Sequence, residues 1–176
     1  MAVDLSAARI PKPQTTPAGV NLQALDSDVA GIALAASAAT LPGHVDFGIW
    51  STVDRTEYWQ RLLDGLGPCG PILPGASRIL RDAAGAIVGS VVVTEMPARE
   101  WWVGGPWIPE IFVTSEFQGR GLGGLLLGHA VRTCVQAGCG RLGLTVSEGN
   151  TARHLYERFG FQAFRATWLI ERPALG

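Results

Sequence analysis

Hydrophobic and polar positions change their period several times along the chain, and each change marks an element. From Val20 to Leu25 apolar and polar residues alternate, the period of a half-buried strand. Asp26 or Ser27 offers a side-chain oxygen to cap a helix running to about Thr40, which Leu41-Pro42-Gly43 ends. Thr52 to Leu66 repeats at the helical period, with Trp59, Leu62, Leu63 and Leu66 on one face. Two strands, Arg78 to Arg81 and Ile87 to Glu95, flank the turn residues Asp82-Ala83-Ala84-Gly85. Trp101 to Pro106 reads as a connection and Trp107 to Thr114 as a further strand, broken locally by Pro109. Gly121 to Gln136 is a helix ending at Gly138, and Arg141 to Ser147 a strand. Asn150 to Phe159 is a helix closed by Gly160, and Phe161 to Ile170 a last strand. Residues 1–18 hold Pro11, Lys12, Pro13 and Pro17 without an apolar period, so they read as a flexible arm before one domain over 19–176. The order β-α-α-β-β-β-α-β-α-β is α/β, with a meander in the middle and helical connections later.

Composition narrows the class. At 176 residues, 47% apolar and 16% charged, the chain has ample material for one core and is no disordered protein. A formal charge of −1 and a pI near 6.3 declare no basic face for nucleic acid. No apolar run reaches ~18 residues and no charged-then-apolar leader opens the chain, so neither a membrane span nor export is expected. Cys69, Cys134 and Cys139 match no metal or redox spacing, which points to a reducing, cytoplasmic setting without a metal.

The candidate chemistry begins at a glycine loop. Gly119-Arg120-Gly121-Leu122-Gly123-Gly124 satisfies G-x-G-x-x-G between a strand and a helix, with Glu148 near the end of the next strand. On pattern alone this is a dinucleotide fingerprint. Against that reading, Ser115-Glu116-Phe117-Gln118 separates the strand from the first glycine, and too little chain follows for a doubly wound domain. The physics of the loop is the same either way. Glycines let backbone N–H groups converge, and the helix N-terminus adds its positive dipole end, so a pyrophosphate suits the place. Helix–strand packing is the plainer use of some of these glycines, and Arg120 either faces a phosphate or is solvated.

Gln118 to Gly123 resembles the Q/R-x-x-G-x-G/A acetyl-coenzyme A motif of the GCN5-related N-acetyltransferase superfamily. Asn150-Thr151-Ala152-Arg153-His154-Leu155-Tyr156-Glu157-Arg158-Phe159-Gly160-Phe161 looks like that family's second signature, which sets polar, small, apolar and aromatic residues on one helix. The resemblance implies a single α/β domain, a mixed central sheet with a splayed strand pair and about four helices. It implies acetyl-CoA as co-substrate, its pantetheine between the strand of Ile111, Phe112 and Val113 and the strand Leu142–Val146. The pyrophosphate would lie over Gln118, Gly119, Arg120, Gly121, Leu122, Gly123 and Gly124, and the Val113 N–H would face the thioester carbonyl. Asn150 would touch the pantetheine arm or its water, besides capping its helix.

Two residues carry the implied catalysis. Amine attack on a thioester needs a base, because an ammonium has no lone pair, and Glu110 sits where many members carry a glutamate. Its plainer reading is a carboxylate in solvent or paired with an arginine. As the base, Glu110→Gln is expected to slow the reaction mainly at lower pH. Tyr156 falls at the signature tyrosine, where a phenol protonates the departing thiolate, or else merely packs on the core. The implied reaction is acetyl transfer to a small-molecule amine or a peptide or protein N-terminus, by direct attack in a ternary complex. Cys134 and Cys139 read as structural, not nucleophilic. A non-catalytic acyl-CoA sensor is the alternative and would need neither Glu110 nor Tyr156; a dinucleotide-binding domain is third.

On the acceptor side the resemblance assigns the first two helices and the loop Leu41 to Trp50, long enough for a lid. Trp50, Trp59, Trp101, Trp102 and Trp107 either wall an apolar or aromatic amine or fill the core. Family members close with a two-stranded hairpin, for which the residues after Phe161 leave little room. One wall of the acceptor cleft would then stand open, or be filled by a second subunit of a homodimer.

Overall fold

The computed structural model describes residues 1–6, 8, 15–46 and 55–166. Its strands are β1 (Ala2–Asp4), β2 (Val20–Ala24), β3 (Arg78–Asp82), β4 (Ile87–Met96), β5 (Gly105–Val113) and β6 (Arg141–Leu144). Its helices are α1 (Val29–Ser37), α2 (Arg55–Leu63), α3 (Leu122–Gln136) and α4 (Arg153–Arg158). The strands form one sheet in the order β1-β6-β5-β4-β3-β2. Every neighbouring pair is antiparallel except β5 and β6, which are joined through α3 and run parallel.

β4 explains why helices cover both faces. Its residues 87–94 are all buried, the mark of a strand covered on two sides. Successive side chains point to opposite faces, so Val91 and Val93 join Leu126, Leu127, Ala130 and Val131 of α3. Val92 turns the other way, to Ile32 of α1 and Trp59 and Leu62 of α2. α1 is capped by Asp28, one residue past the pair expected from sequence, whose Oδ1 accepts the Gly31 N–H at 3.0 Å. Arg81 on β3 then pairs with Asp26 at 2.7 Å and Asp28 at 3.4 Å, fixing the start of that helix to the sheet.

Two expectations are revised at the ends of the chain. Within the segment read as an arm, Ala2–Asp4 is an edge strand, antiparallel to β6, with Val3 and Leu5 buried. The period is there in the sequence: Met1, Val3 and Leu5 alternate with Ala2 and Asp4, but the run is short and prolines follow. Of the last strand expected from Phe161, Gln162 makes one bridge to Ala2, with N–H···O distances of 2.9 and 2.8 Å. Residues 163–166 have no regular structure, and 167–170 lie outside the described residues. β1 lies beside β6 at that edge of the sheet, and residues 167–176, where a closing strand was sought, lie outside the described residues. No helix among the described residues is long and apolar enough to cross a membrane.

Candidate functional site

The site begins where the sheet stops being a sheet. The β5–β6 ladder pairs Trp107 with Gly143 and Ile108 with Leu144, and β6 ends there while β5 runs on to Val113. At this point β5 takes three steps, Trp107 to Glu110, against two on β4, Thr94 to Val92. That bulge falls at Ile108-Pro109, where proline has no N–H to give a ladder. Beyond it, the Thr114 N–H donates to Val88 at 2.9 Å. Bonding alternates along an antiparallel pair, so the N–H groups of Ile111 and Val113 face away from β4, into the gap opened beside β6.

A cavity of about 730 Å³ fills that gap. It is bounded by β5 from Pro109 to Val113, the segment Leu144 to Ser147, the ends of α1 and α3, and residues of α2 and α4. Gln118 braces its floor: Nε2 donates to the carbonyls of Ala39 and Val113, both at 3.0 Å, tying the end of α1 to the end of β5. The side chain expected at a pyrophosphate is thus used to hold the frame.

Glycine shapes the loop as anticipated, though not at every position. Gly119 and Gly121 have φ of +76° and +81°, conformations that side chains with a Cβ resist. Gly121 precedes the first turn of α3 with no side-chain cap, leaving helix N–H groups to a ligand. Gly121, Leu122, Gly123 and Gly124 all line the cavity, and this donor set fits a pyrophosphate. Gly123 has a packing reason of its own, since a Cβ there would sit 3.3 Å from Leu155 of α4. Arg120 stays outside the lining residues. Its guanidinium lies 4.6 Å from the Phe117 ring centre, and Nη2 donates to the Glu116 carbonyl at 3.0 Å.

Glu110 and Tyr156 both line the cavity, from β5 and α4. The Tyr58 hydroxyl donates to Glu110 Oε1 at 2.7 Å. Burial pushes the Glu110 carboxyl up to about 7, with Asp46 adding to the rise; the Tyr58 hydrogen bond and the Arg55 charge pull it back. Tyr156 is 5% exposed, and burial, aided by the charges of Asp46 and Glu110, pushes its phenol up to about 12. Its hydroxyl bonds no side chain among the described residues.

Asn150 stands at the head of α4 with both ends of its amide engaged. Oδ1 accepts the Ala152 N–H at 2.8 Å, and Nδ2 donates to Asp46 Oδ2 at 2.7 Å. The Asp46 N–H in turn donates to His44 Nδ1 at 3.1 Å. The segment after α1 is thereby latched to the head of α4, over the cavity that His44, Asp46 and Asn150 all line.

Of the two readings left open for the tryptophans, Trp101, Trp102 and Trp107 follow the packing one. Trp102 and Trp107 meet edge-on at 5.0 Å, with Trp101 5.8 Å from Trp107, in a cluster outside the cavity lining. Trp59 lines the cavity but is 2% exposed, and Trp50 lies outside the described residues. Polar groups take the wall's place: Asp46, Arg55 and Tyr58, none of which the sequence reading singled out. Tyr58 was hidden beside Trp59 on a helix read for its apolar face, and Asp46 in a loop read for its length.

The fold and cavity define a mixed α/β domain whose single parallel strand pair parts over a glycine-led helix. The family model for the acetyltransferase (GNAT) family matches residues 44–161, and the chain belongs to that family. A GCN5-related N-acetyltransferase from Sphaerobacter thermophilus is similar in structure, with a TM-score of 0.62 and 21% identity. That match covers 90% of this chain but 45% of the Sphaerobacter chain. A ribosomal-protein-alanine N-acetyltransferase from Brucella melitensis biovar Abortus 2308 has a TM-score of 0.57 and 17% identity, over 88% of this chain and 99% of that one. AAC(6')-Iy, in complex with the bisubstrate analog CoA-S-monomethyl-acetylneamine, has a TM-score of 0.58 and 17% identity, again over 88% and 99%. No curated protein sequence matches the chain.

Proposed function

We propose that this protein is an acetyl-CoA-dependent N-acetyltransferase, moving an acetyl group to an amine by direct attack in a ternary complex. The observation that carries the reading is the meeting of Glu110, Tyr156 and the unpaired edge of β5 at Val113 on one cavity. The bisubstrate complex of a similar fold supports the use of a CoA thioester here. Acetyl-CoA supplies the acyl thioester, with Ile111, Phe112 and Val113 along its pantetheine and Gly119, Gly121, Leu122, Gly123 and Gly124 at its pyrophosphate.

The chain's own groups then divide the work. Glu110, ionised above about 7, takes the proton that makes the acceptor's nitrogen nucleophilic. The Val113 N–H donates to the carbonyl oxygen as negative charge gathers there. Tyr156, kept protonated through neutral pH, gives its proton to the departing thiolate. Gln118 acts as a positioning residue, because its Nε2 holds the carbonyl of Val113, the residue whose N–H is the proposed donor. The acceptor is a small-molecule amine or a peptide or protein N-terminus, entering between α1, α2 and the segment ending at Asp46.

Calorimetry with acetyl-CoA and NAD side by side, followed by CoA release with an amine panel, tests the reading. Binding of acetyl-CoA but not NAD, with amine-dependent CoA release, is expected. NAD binding without acetyl-CoA binding overturns it, and acetyl-CoA binding with no turnover of any amine leaves a sensor.

A further inference from the structure

The acceptor end of the cavity carries separated charges. Glu110 and Asp46 accept from the Tyr58 hydroxyl and the Asn150 amide, and Asp46 Oδ2 also lies 3.8 Å from His44 Nδ1. Arg55 lines the same cavity from the first turn of α2. Its charge is felt at Glu110, yet it makes no ion pair among the described residues. A guanidinium facing a cavity without a carboxylate partner is a ready fork for a planar or tetrahedral anion. Two further cation-forming side chains among the described residues line the cavity: His44, whose Nδ1 accepts the Asp46 N–H at 3.1 Å and lies 3.8 Å from Asp46 Oδ2, and Arg158 from α4.

We infer that the acceptor is an amine that also bears an anionic group, carboxylate or phosphate, with Arg55 binding the anion and Glu110 and Asp46 receiving the amine. This rests on the acetyltransferase reading and names its substrate class. A simple diamine would set one cation against Arg55, and a neutral aryl amine would leave Arg55 desolvated without a partner. Both are disfavoured by the same side chain. No atom of the transfer changes: the nitrogen still loses its proton to Glu110 and the thiolate still gains one from Tyr156. Arg55 sets which amine arrives.

Matched acceptor pairs test the inference. Alanine is compared with alaninamide, and 2-aminoethyl phosphate with ethanolamine, by CoA release; putrescine serves as the dication. Acetyl-CoA binding to each variant is measured in parallel by calorimetry. At least one anionic member is expected to exceed its neutral match by tenfold or more in kcat/KM, the favoured pair telling carboxylate from phosphate. In Arg55→Ala that preference falls at least tenfold, in Arg55→Lys it is partly kept, and in Arg55→Glu it reverses. Turnover without preference, a preference surviving Arg55→Ala, or putrescine as the best acceptor overturns the inference and leaves the acetyltransferase reading intact. Acetyl-CoA binding with none of the five amines turned over also overturns it. Absence of acetyl-CoA binding removes the reading beneath it.

Discussion

The Tyr58 hydroxyl on α2 donates to Glu110 Oε1 on β5 at 2.7 Å, so the acceptor-side helix and the strand that opens the cavity meet at the proposed base. The bond favours the ionised carboxylate and works against the burial that raises its pKa. Tyr58→Phe removes that help. The inflection of kcat/KM against pH is expected to move to higher pH, with the rate below it reduced. An unmoved profile would separate Tyr58 from the base.

Glu110→Gln gives opposite signs in activity and stability. With its carboxyl pushed up to about 7, wild-type Glu110 is already protonated at lower pH. The rate lost on substitution is then largest above pH 7 and shrinks below it, reversing the expectation drawn from sequence. For stability, the raised pKa means that the native state holds more protons than the unfolded chain. This contribution is fully present below the ordinary carboxyl pKa of 4.5 and is lost as pH rises through about 7. Glu110→Gln is therefore expected to gain on wild type by about 1–3 kcal/mol between pH 5 and pH 8. Melting curves at the two pH values check this.

Tyr156→Phe keeps the ring among its buried neighbours and removes the hydroxyl. Acetyl-CoA affinity is expected within a few fold of wild type, with turnover down by roughly 10²-fold or more. Turnover at the wild-type rate with a good acceptor would assign the proton to another donor.

Gly121→Glu sets a side chain at a φ of +81° and a carboxylate at the mouth of α3. The backbone cost is about 1–2 kcal/mol, so the domain remains folded with a lower melting temperature. Acetyl-CoA binding is lost, because the charge opposes the pyrophosphate at its donors. Unchanged affinity by calorimetry would place the phosphates elsewhere.

Gly143→Ala probes the floor beneath the parallel pair. A methyl there would overlap the Trp107 ring and come within 2.9 Å of Trp102. Overpacking of this kind costs roughly 1–3 kcal/mol, which lowers the melting temperature by a few degrees to about 10 °C. A melting temperature equal to that of wild type would show that the tryptophan pair yields without cost.

Elements with strong local signals were legible in the sequence. β4 announced itself by its run of valines, α3 by glycines on both sides of an apolar stripe, and β5 by Pro109 at the bulge. The loop glycines, Tyr156 and Asn150 stand in contiguous patterns and Glu110 eight residues before Gln118, and they line one cavity. Asp46, Arg55 and Tyr58 stand in no such pattern: Tyr58 and its partner Glu110 are 52 residues apart, Asp46 and Asn150 are 104 apart, and Arg55 gains its place only from the cavity it lines. Trp101, Trp102 and Trp107 left two readings open for a related reason. A large apolar ring reads the same whether it walls a cavity or packs on Gly143, and only the tertiary arrangement separates the two.

The latch between Asn150 and Asp46 has a consequence for how the two substrates sense one another. In the proposed ternary complex, one amide would tie the head of α4, assigned to the CoA arm, to the segment assigned to the amine. Whatever factor acetyl-CoA imposes on acceptor affinity by settling that amide, the acceptor must impose on acetyl-CoA affinity in return, because the coupling is a single free energy read from two ends. Asn150→Ala is expected to weaken that coupling, so that each ligand changes the other's affinity less than in wild type.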